Sequence, residues 1–231
     1  MFDITPTEWT AILLSLRVAT VATLVATPLG IALAYLLARR EFWGKSLVDA
    51  LVHLPLVLPP VVTGYLLLLA FGRRGPIGAF LADTFGIVFA FRWTGAALSC
   101  GVMAFPLLVR PIRLSIEAVD RKLEQAAETL GAPPWRLFFN VTLPLALPGV
   151  LAGMVLGFAK AIGEFGATIT FVSNIPGETQ TISSAIYSLI QTPDGDPAAL
   201  RLVVVSAIIA FAALIGAEWF ARRAIARLHG N

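Results

Sequence analysis

Lys160 and Glu164 lie four positions apart inside the apolar run Leu143–Gly166. At that spacing on one helix the two can pair. A lone charge at mid-membrane depth costs about 2.5–3.5 kcal/mol on insertion scales, so pairing and an inward orientation are expected if the run spans a bilayer. Two roles stay open: a structural ion pair, or a lysine that faces a path through the membrane with Glu164 neutralised beside it. Covalent chemistry finds no support. There is no assignable Ser/His/Asp set, no HExxH and no GxSxG. Cys100 is the one cysteine, so no intramolecular disulfide and no cysteine metal site is expected. His53 and His229 are too far apart in sequence to suggest a metal centre. Gly44-Lys45-Ser46 has the ending of a phosphate-binding loop, but the glycine required five positions earlier is Arg39. The chain is therefore expected to hold no cofactor, metal or catalytic residue, and any ATP and Mg to be bound by a partner subunit.

The composition indicates the scaffold. Of 231 residues, 58% are hydrophobic and 13% charged, against about 25% charged in soluble domains. That excludes an ordinary soluble enzyme, a disordered chain and a nucleic-acid binder. A spanning helix needs about 20 apolar residues. Five segments qualify: Ala11–Ala38, Leu47–Phe71, Thr94–Leu114, Leu143–Gly166 and Leu200–Phe220. The runs are continuous and do not alternate, which favours helices over barrel strands. The fold class expected is an all-α integral membrane protein of about five spans, a single domain over residues 1–231, in contact with membrane lipid. Ile182–Ile190 is too short to span and reads as an interfacial or re-entrant helix. Asp3, Glu8 and the absence of a basic leader argue against a cleavable signal peptide.

The charges set the topology. Arg39, Arg40, Lys45, Arg110, Arg113, Arg121, Lys122, Arg136, Arg222, Arg223 and Arg227 fall on one side of the expected spans. Only Arg73, Arg74, Arg92 and Arg201 fall on the other. The larger set marks the cytoplasm, which puts the N-terminus outside and the C-terminus inside a bacterial-type inner membrane. The net charge of +3 is then chiefly a topology signal. Arg73, Arg74 and Arg92 place positive charge on the outer face, where they could attract an anion, dock an acidic protein surface or simply meet solvent and lipid. Arg17, inside the first span, needs a partner, a water-filled surface or a snorkelling stem. Pro59 and Pro60, with Pro55, free carbonyls in the second span. They are candidates for lining a path, with a plain kink as the other reading. Gly149, Gly153 and Gly157 form a stripe for close helix approach, within the subunit or between subunits.

The cytoplasmic connection of about residues 117–142 differs from the others. Asp120 suits an N-cap and Gly131 a C-cap around Arg121–Leu130. Leu123, Ala126, Ala127 and Leu130 share one face of that helix. Pro134 can start a second short helix that gathers Trp135, Phe138 and Phe139.

The run Glu124-Gln125-Ala126-Ala127, followed by Gly131 and by Val141-Thr142-Leu143-Pro144, resembles the EAA loop of binding-protein-dependent ABC importer permeases. His53–Val62, Gly72–Gly75, Gly163–Phe171, Ser173–Thr179 and Leu189–Pro193 are similar to the molybdate permease subfamily. Gly163-Glu164-Phe165-Gly166 is shared with sulfate/thiosulfate and tungstate permeases. The resemblance implies a type I importer permease fold and a coupling helix that docks on a cytoplasmic ATPase subunit through Glu124, Gln125, Ala126, Ala127, Leu130 and Gly131. It also implies an extracytoplasmic oxyanion-binding protein and a second copy of the chain as partners, with a translocation path for which Lys160, Glu164, Pro59 and Pro60 are candidates. In the family a glutamate stands six residues before the glycine; here that position is Gln125 and the glutamate is Glu124. The function implied is import of molybdate by alternating access, with sulfate or tungstate import as the alternative and a stand-alone channel or membrane enzyme more remote.

Overall fold

The computed structural model describes residues 4–228, with side chains for residues 4–216. Arg222, Arg223 and Arg227 fall outside those described side chains. Among the described residues every regular element is helical.

α1 (Pro6–Arg39) starts on a capping box. Thr5 Oγ1 accepts from Glu8 N–H at 3.3 Å, and Glu8 Oε2 accepts from Thr5 N–H at 2.7 Å. This satisfies two of the helix's orphan donors. The other oxygen of Glu8 accepts from Arg201 at 2.7 Å, which ties the head of α1 to α11 (Asp196–Leu228).

The second expected span is two helices, α2 (Lys45–Val57) and α3 (Pro60–Phe71), bent by 116°. Pro59 and Pro60 donate no backbone hydrogen bond and push the residue before them out of the helical region. Leu58 accordingly has φ −70° and ψ 142°. The expectation of one continuous span is corrected to a broken one. A short helix follows, α4 (Pro76–Phe85), opened by Pro76 and closed by Gly86 at φ +67°.

α5 (Trp93–Glu117) is the central helix, buried against α1 and α8. The connection after α5 forms α6 (Arg121–Thr129) and α7 (Pro134–Leu137). One π-helical turn, Phe138–Thr142, leads into α8 (Leu143–Ile162). The fourth span thus starts earlier and stops sooner than the hydropathy indicated. After a break come α9 (Gly166–Val172) and α10 (Ile182–Leu189).

The glycine stripe of α8 serves packing within the subunit. A Cβ at Gly149 would lie 2.6 Å from the carbonyl oxygen of Pro111, and one at Gly153 2.5 Å from that of Leu108, both on α5. Only glycine admits this approach. The core beneath it holds Leu108, Val109, Ile112 and Val150, all buried.

Candidate functional site

α6 is built by local signals. Asp120 Oδ1 accepts from Lys122 N–H at 2.9 Å, an N-cap bond. At the other end Gly131 has φ +80°, and the N–H groups of Gly131 and Ala132 close on the carbonyls of Glu128 and Ala127 at 2.9 and 3.1 Å. This is the left-handed stop that glycine permits. No residue of α6 is buried, and Leu130 is 89% exposed. Leu123, Gln125, Ala126 and Gly131 are also exposed, while Ala127 is half-buried. The apolar face expected from the sequence is thus presented outward with nothing on it in the single chain. A helix of this length with no buried side chain has little reason to hold its orientation unless something fixes it from beneath.

Glu124 does so. Its Oε1 accepts from Arg39 Nη2 at 2.9 Å, Arg39 Nε at 3.2 Å and Thr142 Oγ1 at 2.7 Å. Arg39 Nη2 also donates to the carbonyl of Val119 at 3.2 Å. The side chains of Arg39 and Glu124 are only 9% and 12% exposed. Among the six residues assigned to docking, Glu124 is therefore turned into the subunit. It joins α6 to the end of α1 and to the wide turn that starts the fourth span. Thr142 is fully buried, and the π-turn carries it; such turns are rare and cluster at functional positions. Nearby, Arg113 joins Asp49 of α2 and Glu117 at 2.8 Å each. Basic residues expected only as topology markers thus also brace this end of the bundle.

The candidates at membrane depth converge on a second place. Lys160 Nζ donates to Glu164 Oε2 at 2.6 Å, so the expected pair forms. It does not form on one helix, because α8 ends at Ile162 and Gly163 caps it. Glu164 lies in the break, its side chain 1% exposed, and Oε1 accepts from Ala167 N–H at 3.0 Å, at the start of α9. Gly166 is tight against α3: a Cβ there would come within 2.7 Å of Pro60 Cβ. The break in the second span thus abuts the break in the fourth, bringing Pro60 beside the residues that follow Glu164. On α3, Thr63 Oγ1 is buried with no hydrogen-bond partner; the sequence held no signal for it. Pro59 and Pro60 are themselves exposed.

Arg73 and Arg74 sit between α3 and α4, and Arg92 is the N-cap residue of α5. All three are exposed, and none joins an ion pair among the described residues. The structure does not join them into one site with Lys160. Arg17 lies with its guanidinium 3.7 Å from the ring centroid of Trp93, a cation–π contact. No group of His, Cys, Asp and Glu able to hold a metal occurs among the described residues.

Residues 26–226 match the family described as the binding-protein-dependent transport system inner membrane component. The chain belongs to that family. It is 61% identical over 219 residues to the molybdenum transport system permease protein ModB of Escherichia coli strain K12, covering 95% of this chain and 96% of the relative. It is 60% identical over 216 residues to the protein of that name from Haemophilus influenzae, covering 94% of each. Among solved structures, a bacterial alginate ABC transporter in complex with its pentasaccharide-bound periplasmic protein superposes with a TM-score of 0.75. It covers 96% of this chain and 81% of that one at 19% identity. The fold is therefore that of a type I importer permease. The chain is a multi-pass inner-membrane transport subunit of an ABC importer, not an enzyme. The family implies an ATPase and a substrate-binding protein as partners.

Proposed function

We propose that the chain is the permease through which an ATP-driven importer moves molybdate across the inner membrane. The observation that carries this is the near-full-length identity of about three residues in five to molybdenum permeases. A chloroplast sulfate permease of Chlamydomonas reinhardtii is 39% identical over 198 residues, so the sulfate reading is the weaker. Two copies face each other, each with its α6 on one ATPase subunit, and the loaded binding protein docks on the opposite face, where the N-terminus lies. ATP and Mg are held by the ATPase subunits. ATP inside and the loaded binding protein outside favour different states of the permease, and only such differential binding can shift the equilibrium between them. The exposed face of Leu123, Gln125, Ala126 and Leu130 supports the docking role of α6. The inward bonds of Glu124 support a different job for that residue: it positions α6 and hands its movement to α1 and to the head of the fourth span.

The test is ATPase activity of the reconstituted complex, with binding protein loaded in turn with molybdate, tungstate and sulfate. Molybdate should stimulate most. Equal stimulation by sulfate would overturn the substrate, and activity without any ATPase partner would overturn the class.

A further inference from the structure

A cavity of about 620 Å³ runs between α1, α2 and α5. Val25 and Leu29 line it from α1, Leu51 from α2, and Gly101 and Phe105 from α5. Apart from Thr94 and the indole of Trp93, every residue on its wall is apolar. Ordered water needs two to four polar partners, and this space does not offer them. Hydrocarbon is the filling that matches its chemistry.

The upper end of the cavity has the opposite character. Trp93 is part of the wall, and the guanidinium of Arg17 rests on its ring. Arg17 joins no ion pair among the described residues. Trp93 is also the first residue of α5, a helix of 25 residues whose N-cap makes no side-chain capping bond. The N–H groups of Arg92 and Gly95 are bonded to the carbonyls of Phe89 and Arg92, which leaves those of Trp93 and Thr94 as donors for an anion. A positive charge, a helix N-terminus and an indole therefore crown an apolar slot.

The depth fits as well. Arg17 and Arg39 lie on one unbroken helix, about 33 Å apart at 1.5 Å per residue. Hydrocarbon is about 30 Å thick. With Arg39 at one membrane surface, Arg17 is at headgroup level on the other, where tryptophan is enriched. Leu29 is about 18 Å deeper than Arg17 along α1, close to the thickness of one leaflet.

We propose that this cavity seats an anionic phospholipid, its phosphate on Arg17 and the N-terminus of α5 and an acyl chain between α1, α2 and α5. A helix from a second copy could fill the slot, but to satisfy Arg17 it would have to carry a carboxylate to the edge of the hydrocarbon. The lipid's role is to brace α1, the helix that carries Arg39 at its other end.

Native mass spectrometry of the purified permease–ATPase complex, equilibrated with equal phosphatidylglycerol and phosphatidylcholine, tests this. The wild-type complex should retain phosphatidylglycerol over phosphatidylcholine by about fivefold, the worth of one basic residue near an anionic lipid. Arg17→Gln should keep a bound lipid but lose the preference. Gly101→Leu should lose the lipid itself, because a Cβ there meets nothing closer than 3.7 Å and the rest of the side chain enters the slot. If that variant does not assemble, Leu51→Trp fills the slot from α2, where Leu51 is 56% exposed. No preference in the wild type, or a preference that survives Arg17→Gln, overturns the proposal. So does retained lipid in the filled variant alongside loss of the two-copy mass, which would assign the slot to a second copy.

Discussion

Glu124 and Glu164 are both carboxylates held by a basic side chain, and both are nearly buried, yet their connections differ. Glu164 is paired locally. Its cation is four residues back and its second oxygen caps the helix that begins two residues on. Every bond it makes stays within one turn of chain. Glu124 gathers a cation 85 residues away and a hydroxyl 18 residues ahead on a single oxygen. Its bonds hold three separate elements together. A local pair of this kind secures a break in a helix; a pair of the second kind makes one element follow another. α6 needs the latter, because apart from Glu124 its side chains lie at the surface.

The comparison is broken most severely at Arg39. Arg39→Ala leaves Glu124 with Thr142 alone and removes the tie to Val119. Breaking a buried pair from one side costs about 3 kcal/mol. Transport should fall at least tenfold, and ATP hydrolysis in the presence of the loaded binding protein by less. The reversed pair, Arg39→Glu with Glu124→Arg, should recover part of both. The diagnostic measurement is molybdate moved per ATP hydrolysed. A positioning residue lowers that ratio, whereas a purely structural one lowers both rates together. If the ratio stays at the wild-type value in Glu124→Gln while Leu130→Ala still loses ATPase docking, α6 is the coupling helix but Glu124 is not its guide. If neither variant affects docking, the coupling role itself is lost.

Next in size is the local pair. Glu164→Gln leaves Lys160 without a counter-charge at membrane depth, a cost of about 2.5–3.5 kcal/mol on insertion scales. Changing both, Lys160→Met with Glu164→Gln, should restore much of the melting temperature. Transport in that double variant separates the two readings of Lys160. Recovery along with stability makes the pair structural; transport that stays low in a stable complex places Lys160 on the path.

What could be read in the sequence follows the same division between local and distant. The limits of α6, at Asp120 and Gly131, and the start of α7 at Pro134 were legible because each is set by its immediate neighbours. Pro59 and Pro60 were legible only as freed carbonyls or a kink within one span; the 116° break goes with α3 lying against α9, a contact across about a hundred residues. The run Leu143–Gly166 looked continuous to hydropathy, yet Gly163 and Gly166 mark where it stops, and Glu164 is non-helical for that reason. α4 carries clear limits, Pro76 and Gly86, but is too short to register as a span. Arg39 was read as a topology charge. Nothing near it in sequence announces Glu124, and only the fold could join them.

Gly131 tests the local signal alone. Gly131→Ala meets no atom within 4 Å, so its cost is the backbone strain of φ +80°, about 1 kcal/mol. Membrane insertion should be unchanged, while the end of α6 frays and ATPase stimulation drops severalfold. A bulkier residue should abolish stimulation by projecting from the docking face. Wild-type assembly and transport in the bulky variant would sink the role assigned to this loop.

The smallest effect isolates burial as the variable. Glu41 is a carboxylate on the same side of the bundle as Glu124, bonded to Lys45 at 2.7 Å, but its side chain is 89% exposed. The hydrogen bond from Lys45 holds its carboxyl below the ordinary value. A lowered value means that the pair contributes above the unfolded carboxylate's pKa and that the contribution is lost as pH falls through the folded value. Water screens the pair in the folded state and solvates both partners when it breaks, so little is at stake. Glu41→Gln should therefore leave transport, ATPase coupling and melting temperature at wild-type levels at pH 7, and the melting curves of variant and wild type should differ no further as the buffer is taken to pH 4. A loss comparable to that of Arg39→Ala would mean that charge at this end of the protein, and not the buried three-way contact of Glu124, governs coupling.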